Sequence, residues 1–360
     1  MSRARAPTPS ATDKTLRNAA QLADAGLIAR ELAIPLQAVA NRYAVAITPA
    51  VRAAMNPADP NDPVARQYVP SVQELTEHEA ERSDPIGDDV HSPLPGLVHR
   101  YPDRVLLKAS HVCPVYCRFC FRREVVGPQS PPPLADDALD AIANYLRDHP
   151  QIWEVILSGG DPLALSPRRL TAIVERLRPL MHIRVLRLHT RVPVVDPDRI
   201  TDTLIDLLRG AAQTPWILIH ANHPKEFTDA AVRAIARLAD AGIPLRSQTV
   251  LLRGINDDEA TLSALMRRFV ELRIAPYYLH HPDLAPGTSH FAVSIPRGRE
   301  LLRALQGNYS GLCQPEYVLD IPGGYGKAPV GPDYLHQDDA TGVVVTDYQG
   351  RQHRYKDRTL

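Results

Sequence analysis

The sequence predicts an α/β fold built on a parallel sheet, and three observations carry that expectation. From about residue 103, short apolar runs alternate with amphipathic helices in six strand-helix units. The runs are nearly all apolar, as strands covered on both faces must be. Chemically capable clusters follow these runs one after another, where the loops of such a sheet share one rim. Either an open doubly wound sheet or a barrel satisfies this pattern.

The elements can be justified in chain order. The start, MSRARAPTPSATDKT, has arginines but no apolar core, so it reads as a disordered tail and not as a secretory signal. Residues from about 15 to 55 read as helical, because Leu16, Leu22, Leu27, Ile28 and Leu32 recur in an alanine-rich background. NPADPNDPVARQYVP is too proline-rich for a long helix or a central strand and reads as an irregular connection. Then come RVLLKAS and a helix from Leu134 to Asp148, WEVILSG and a helix from Ser166 to Leu177, and IRVLRLH and a helix from Ile200 to Leu208. WILIHA precedes a helix from Asp229 to Ala241, PLRSQTVLL one from Asp258 to Leu272, and APYYLHH one near Arg297 to Gln306. Ser166-Pro167 is an N-cap and first-turn pair, and Gly242 closes its helix. The tail from about 312 holds a strand-like run, a Gly-Pro loop with Lys327, and a short strand GVVVTDY.

Composition narrows the classes. Lys+Arg and Asp+Glu both number 41, so the chain lacks the basic excess of a protein that works on nucleic acid or an anionic membrane. A small or neutral partner is expected. No run of eighteen apolar residues occurs, so no membrane span is expected. The chain has 4 cysteines, three of them clustered, which points to a reducing compartment, the cytoplasm, and to metal or redox chemistry.

That cluster, HVCPVYCRFCFRR, places Cys113, Cys117 and Cys120 as CxxxCxxC after the first run. One alternative is zinc with His111 as fourth ligand, although structural zinc sites usually pair CxxC halves from separate segments. Another is a four-iron cluster with one iron left open, since each iron needs a ligand. SGGD (Ser158, Gly159, Gly160, Asp161) follows the second run, HTR (His189 to Arg191) the third, HANH (His220 to His223) the fourth and HHPD (His280 to Asp283) the sixth, and Gln248 lies in the fifth. For His220, His223, His280 and His281 a satisfied polar contact is the simpler reading than a metal site. IPGGYGKAP is not a phosphate loop of the GxxxxGK[ST] kind, because Ile321 stands where the first glycine should be and Ala328 follows the lysine. Its glycines admit close approach of a flat ligand, and Lys327 there can form a Schiff base.

CxxxCxxC after the first strand, with SGGD after the second, resembles the radical S-adenosylmethionine (SAM) superfamily. SPLPGLVHRYPDRVLL, CRFCFRR, SGGDPL, NHPKE, QTVLLRGIND, YYLHHPDL, SHF and DIPGGYGKAPV extend that likeness. In this collinear order, from about residue 40 to about 345, the chain resembles the lysine 2,3-aminomutase family. The resemblance implies a partial (β/α)6 radical SAM barrel over 99–310. It also implies a tail with a helical, irregular extension over 1–98 and a segment binding pyridoxal 5'-phosphate (PLP) over 311–360. Cys113, Cys117 and Cys120 would hold a [4Fe-4S] cluster whose fourth iron binds SAM. Ser158, Gly159, Gly160 and Asp161 would hold its methionyl amino group, with His220 and Gln248 as further SAM contacts.

Lys327 matches the lysine that binds PLP, and Arg100, Tyr101 and Arg104 the segment on the cofactor and its phosphate. Arg122 matches the arginine on the substrate α-carboxylate, and Asp283 and Asp320 match the carboxylates on the ε-ammonium of lysine. The implied activity is an isomerase converting lysine to β-lysine, with an electron donor such as flavodoxin or ferredoxin and assembly as a homo-oligomer. The alternatives are the branch making (R)-β-lysine for elongation factor P and an aminomutase of another amino acid. Two departures are visible: the segment after Lys327 is short and has no cysteine, and Tyr325 replaces a glycine of the usual PGGGGK run.

Overall fold

The computed structural model describes residues 14–128, 130–338 and 342–356. The tail read as disordered lies almost entirely outside these residues.

Nine strands form the main sheet: β1 (Leu97–Tyr101), β2 (Arg104–Ser110), β3 (Glu154–Gly159), β4 (Val185–Thr190), β5 (Thr214–His220), β6 (Leu245–Val250), β7 (Ala275–His280), β8 (Glu316–Ile321) and β9 (Gly326–Pro329). Their spatial order is their chain order. A doubly wound sheet reverses direction at its middle; this one winds one way, as a barrel does. β2 to β8 run parallel, with β1 and β9 antiparallel at the two edges. The C-terminal strand-like run thus becomes a seventh parallel strand, β8, and the lysine loop runs straight into β9. Three short strands, β10 (Leu335–Asp338), β11 (Gly342–Thr346) and β12 (Gln352–Tyr355), make a separate antiparallel sheet.

The connecting helices span Asp136–Asp148, Pro167–Leu177, Asp202–Arg209, Asp229–Asp240, Glu259–Glu271 and Ile295–Leu305. Ser166, Thr201, Thr228, Asp258 and Ser294 cap five of them through their side chains, each worth about 1 kcal/mol. Leu170, Ile173, Val174 and Leu177 show the i, i+3, i+4 stripe that faces the sheet. They join a core with Val155, Leu157, Leu186, Leu188, Ile217 and Ile219. The alternate strand positions, Glu154, Ser158, Arg187, His189 and His220, lie on the other face. The runs are therefore apolar toward the helices and largely polar inward, and Arg187 pairs with Glu154 there at 2.5 Å.

The stretch read as helical from 15 to 55 is broken into Ala19–Asp24, Ala33–Arg42 and Pro49–Ala54. Extended Thr48 stops the pattern, and Leu16 and Ile47 exchange backbone hydrogen bonds as a bridge. No helix among the described residues is long and apolar enough to cross a membrane.

β1 and β9 do not pair, and the seam between them is filled by residues 84–91. His91 Nε2 lies 2.9 Å from the Gly324 carbonyl, and Gly87, at φ +67°, packs its α-carbon onto the Gly324 backbone. A methyl at residue 87 would overlap that backbone. Gly87→Ala is expected to cost about 1–3 kcal/mol, read as a lower urea midpoint.

Candidate active site

The cysteine loop leaves β2 and is gripped from beneath. Glu74, in the N-terminal extension, is 1% exposed, and its carboxylate accepts from Arg118 Nε (3.0 Å) and Nη2 (2.5 Å) and from Arg123 Nη2. Arg118 Nη1 also donates to the Ala44 carbonyl at 2.8 Å, and the Arg123 guanidinium lies 3.5 Å from the Tyr43 ring centre. These arginines flank Cys117 and Cys120, so the extension fixes the shape of the loop. Cys113, Cys117 and Cys120 are free and partly buried. Burial pushes all three thiols up, Cys120 to about 11, and the sulfurs also act on one another. The Arg191 guanidinium partly offsets this at Cys117, where Nη1 donates to Sγ at 2.9 Å.

SGGD sits against this loop. Side chains at Gly159 or Gly160 would strike the Ser110 and Val112 carbonyls, so only glycine lets the two segments meet. Ser158 Oγ accepts from Arg122 Nη1 at 3.3 Å. The Asp161 carboxylate is already engaged by Thr190 Oγ1 (2.7 Å), Arg191 N (2.8 Å) and Leu163 N (3.0 Å). Asp161 therefore joins the β3 and β4 loops.

Across the barrel, Lys327 Nζ sits on Asp320, 2.6 and 2.7 Å from its two oxygens. His280 Nδ1 is 3.6 Å from the same carboxylate, and its Nε2 is 3.1 Å from Gln248 Nε2. Burial works against the Asp320 charge, yet His280 and the Lys327 ammonium outweigh it and hold the carboxyl well below the usual range. Asp283 is the opposite case: burial and then the Asp320 charge push it up to about 7.

Arg122 is 8% exposed, and its Nε and Nη2 donate to Asp88 Oδ2 at 3.1 and 2.8 Å. Arg100 Nη2 donates to the other Asp88 oxygen at 3.1 Å. Tyr101 Oη accepts from Lys327 N at 2.8 Å, and the Arg104 guanidinium lies 3.9 Å over the Tyr101 ring. Lys327, Asp320, His280 and Gln248 thus form one connected cluster, as do Arg122, Arg100 and Asp88. Of the other histidines, His223 Nδ1 accepts from Lys225 N and His281 Nδ1 meets Tyr317 Oη, polar contacts as expected.

Sequence reading missed Asp88 and Glu74, which lie in an irregular, acid-rich stretch with no periodic signal. His189 was noted without a role. Its Nε2 is buried without a partner, and burial and then Arg187 hold it well below its usual value.

The residues fit the three cofactors. Cys113, Cys117 and Cys120 are spaced CxxxCxxC on one loop, and the three thiols are electrostatic neighbours. That spacing suits a cluster with a separate iron for each sulfur. The buried Nε2 of His220 and Nε of Arg100 lack partners, as groups facing a bound molecule do.

Comparison with known proteins agrees. Residues 107–265 match the Radical SAM superfamily and residues 302–359 match Lysine-2,3-aminomutase. L-lysine 2,3-aminomutase of Clostridium subterminale is 42% identical over 306 residues, 85% of this chain and 73% of that protein. The L-lysine 2,3-aminomutase of Acetoanaerobium sticklandii matches to the same extent, 42% over 306 residues with the same coverage of both chains. Glutamate 2,3-aminomutase of Clostridioides difficile is 34% identical over 322 residues, 89% of this chain and 76% of that one. With both of these segments matched and identity of this depth across most of its length, the chain belongs to the lysine 2,3-aminomutase family of radical SAM enzymes.

Proposed function

We propose that the chain converts lysine to β-lysine by moving its amino group from C2 to C3. The observation that carries the substrate is the pair of carboxylates Asp283 and Asp320, close enough for the charge of one to act on the other, with a lysine ammonium already seated on Asp320. Two such carboxylates tolerate each other only with a cation between them. Lys327 neutralises Asp320 when nothing else is bound, Asp283 stays largely protonated beside it, and the substrate ε-ammonium has the same chemistry as the Lys327 one. A glutamate side chain would bring a third negative charge, which argues against the activity named for the Clostridioides difficile relative.

When bound, the cluster and SAM would supply the carbon radical that takes and returns a hydrogen atom, and PLP would supply the conjugated imine that delocalises the radical while nitrogen shifts between neighbouring substrate carbons. Cys113, Cys117 and Cys120 would hold the cluster, and Ser158, Gly159, Gly160, Asp161, His220 and Gln248 would line the SAM site. Lys327 would carry PLP, with Arg100, Tyr101 and Arg104 around it. With PLP carried on Lys327, the Nζ positive charge now on Asp320 would be engaged by the cofactor, leaving the Asp320 carboxylate to meet the substrate ammonium. Asp88 holds the Nε–Nη2 edge of the Arg122 guanidinium, and the Nη1 edge keeps only its 3.3 Å bond to Ser158. That edge meets the substrate α-carboxylate, a task suited to a planar guanidinium. The reading includes the cytoplasm as compartment, a flavodoxin or ferredoxin as donor, and a homo-oligomer.

The test is anaerobic purification, assay of iron, sulfide and PLP, then addition of lysine, SAM and reductant with chiral separation of products. β-Lysine is expected from lysine and nothing from glutamate. No β-lysine from fully loaded protein would sink the substrate assignment.

A further inference from the structure

We infer that Arg191 is a positioning residue that raises the reduction potential of the cluster, by giving a hydrogen bond and a positive charge to the sulfur of Cys117. The inference rests on the reading of the three cysteines as cluster ligands. Arg191 ends the HTR stretch, which nothing in the proposed chemistry uses.

Its placement is built. Arg191 is 7% exposed; Nη1 donates to Cys117 Sγ at 2.9 Å, and Nη2 donates to Glu226 Oε2 at 2.7 Å and to Gln67 Oε1 at 3.2 Å. Its backbone N–H is held by Asp161, and its guanidinium lies between the rings of Tyr68 and Phe119, 5.3 and 5.4 Å from their centres. Glu226 is fixed in turn by Asn222 N (2.7 Å), His223 N (2.9 Å), Gln67 Nε2 (3.2 Å) and Tyr68 Oη (3.3 Å). The side chain is thus locked with Nη1 on the sulfur and its counter-ion, Glu226, on the neighbouring Nη2. Cys113 and Cys120 differ, for their sulfurs lie against the backbone N–H groups of Asp161 and Arg122.

Reduction adds one electron to the cluster, and in a buried site an adjacent cation favours the more negative state strongly. Hydrogen bonds to cluster sulfurs and local charge are among the levers that set such potentials. Arg191 supplies both at one ligand. It also ties that ligand to the SGGD turn and to the N-terminal extension.

The test is potentiometric titration, followed by electron paramagnetic resonance, of anaerobically reconstituted wild type, Arg191→Gln, Arg191→Lys and Cys117→Ala, with iron and sulfide measured in each. Arg191→Gln with a full cluster is expected to be about tenfold harder to reduce, ~59 mV lower for one electron. Arg191→Lys is expected to shift the same way by less, because a compact ammonium cannot span from Glu226 to the sulfur as the fork does. A wild-type midpoint in fully loaded Arg191→Gln overturns the inference. Should that variant fail to load, a wild-type midpoint in Arg191→Lys overturns it instead. Cys117→Ala is expected to lose iron; full iron there would overturn the ligand assignment on which the inference depends.

Discussion

Asp320→Ala is expected to weaken lysine binding roughly a hundred- to several-thousand-fold while leaving PLP loading largely intact. Removing one partner of a buried charge pair costs about 3–5 kcal/mol, and each 1.4 kcal/mol is tenfold in affinity. In the cofactor-free protein the loss falls on Lys327, whose ammonium has both Asp320 oxygens within 2.7 Å. Once Lys327 is attached to PLP, it falls on the substrate. The KM for lysine and the absorbance of the lysine-bound cofactor separate the two effects. Equal losses in both would move Asp320 from the substrate site to the cofactor site.

The neighbouring carboxyl adds a pH dependence. Asp283 titrates at about 7 because burial and the charge of Asp320 oppose its ionisation. Seating an ammonium there favours the ionised form, so lysine affinity is expected to climb as pH rises through about 7 and to level off above it. Asp283→Asn should remove the slope. The folded-state value is raised, so the stability that protonated Asp283 contributes is full below its unfolded value and is lost as pH rises through about 7.

Glu74→Ala is expected to cost about 3–5 kcal/mol of stability. Glu74 is the shared counter-ion of Arg118 and Arg123, which are 1% and 6% exposed, and its removal leaves two cations in the interior. Carbonyl acceptors remain for both: Ala44 for Arg118, and Arg118 and Gly287 for Arg123. They solvate the guanidinium groups without neutralising them. Urea unfolding reports the stability, and iron content after reconstitution reports the cysteine loop that the arginines flank. A wild-type midpoint would show that the interior tolerates these charges unpaired.

Much of this could be read locally. The Ser166 cap and the strand RVLLKAS depend on neighbours a few residues away, and both are where the sequence puts them. The helical reading of residues 15 to 55 holds as three short helices, because extended backbone at Thr48 and the bridge of Leu16 to Ile47 break the alanine-rich periodicity. The polar lumen went against the reading of the runs as nearly all apolar, although WEVILSG and IRVLRLH carry polar residues at alternate positions. Whether that face meets water, a partner strand or an enclosed site depends on closure of the sheet.

The sequence by itself determined the order of strands and helices, the three cysteines on one loop and the lysine beside its glycines, because periodicity and short spacing are local properties of a chain. Only the tertiary structure decided how the charges are paired. Asp88 takes both Arg122 and Arg100, Glu74 holds the cysteine loop, Lys327 rests on Asp320, and Arg191 reaches Cys117. Apart from Lys327 and Asp320, which meet across a hairpin, these partners lie far apart along the chain. A buried charge must be neutralised by whatever the fold brings beside it, and no local pattern records that choice.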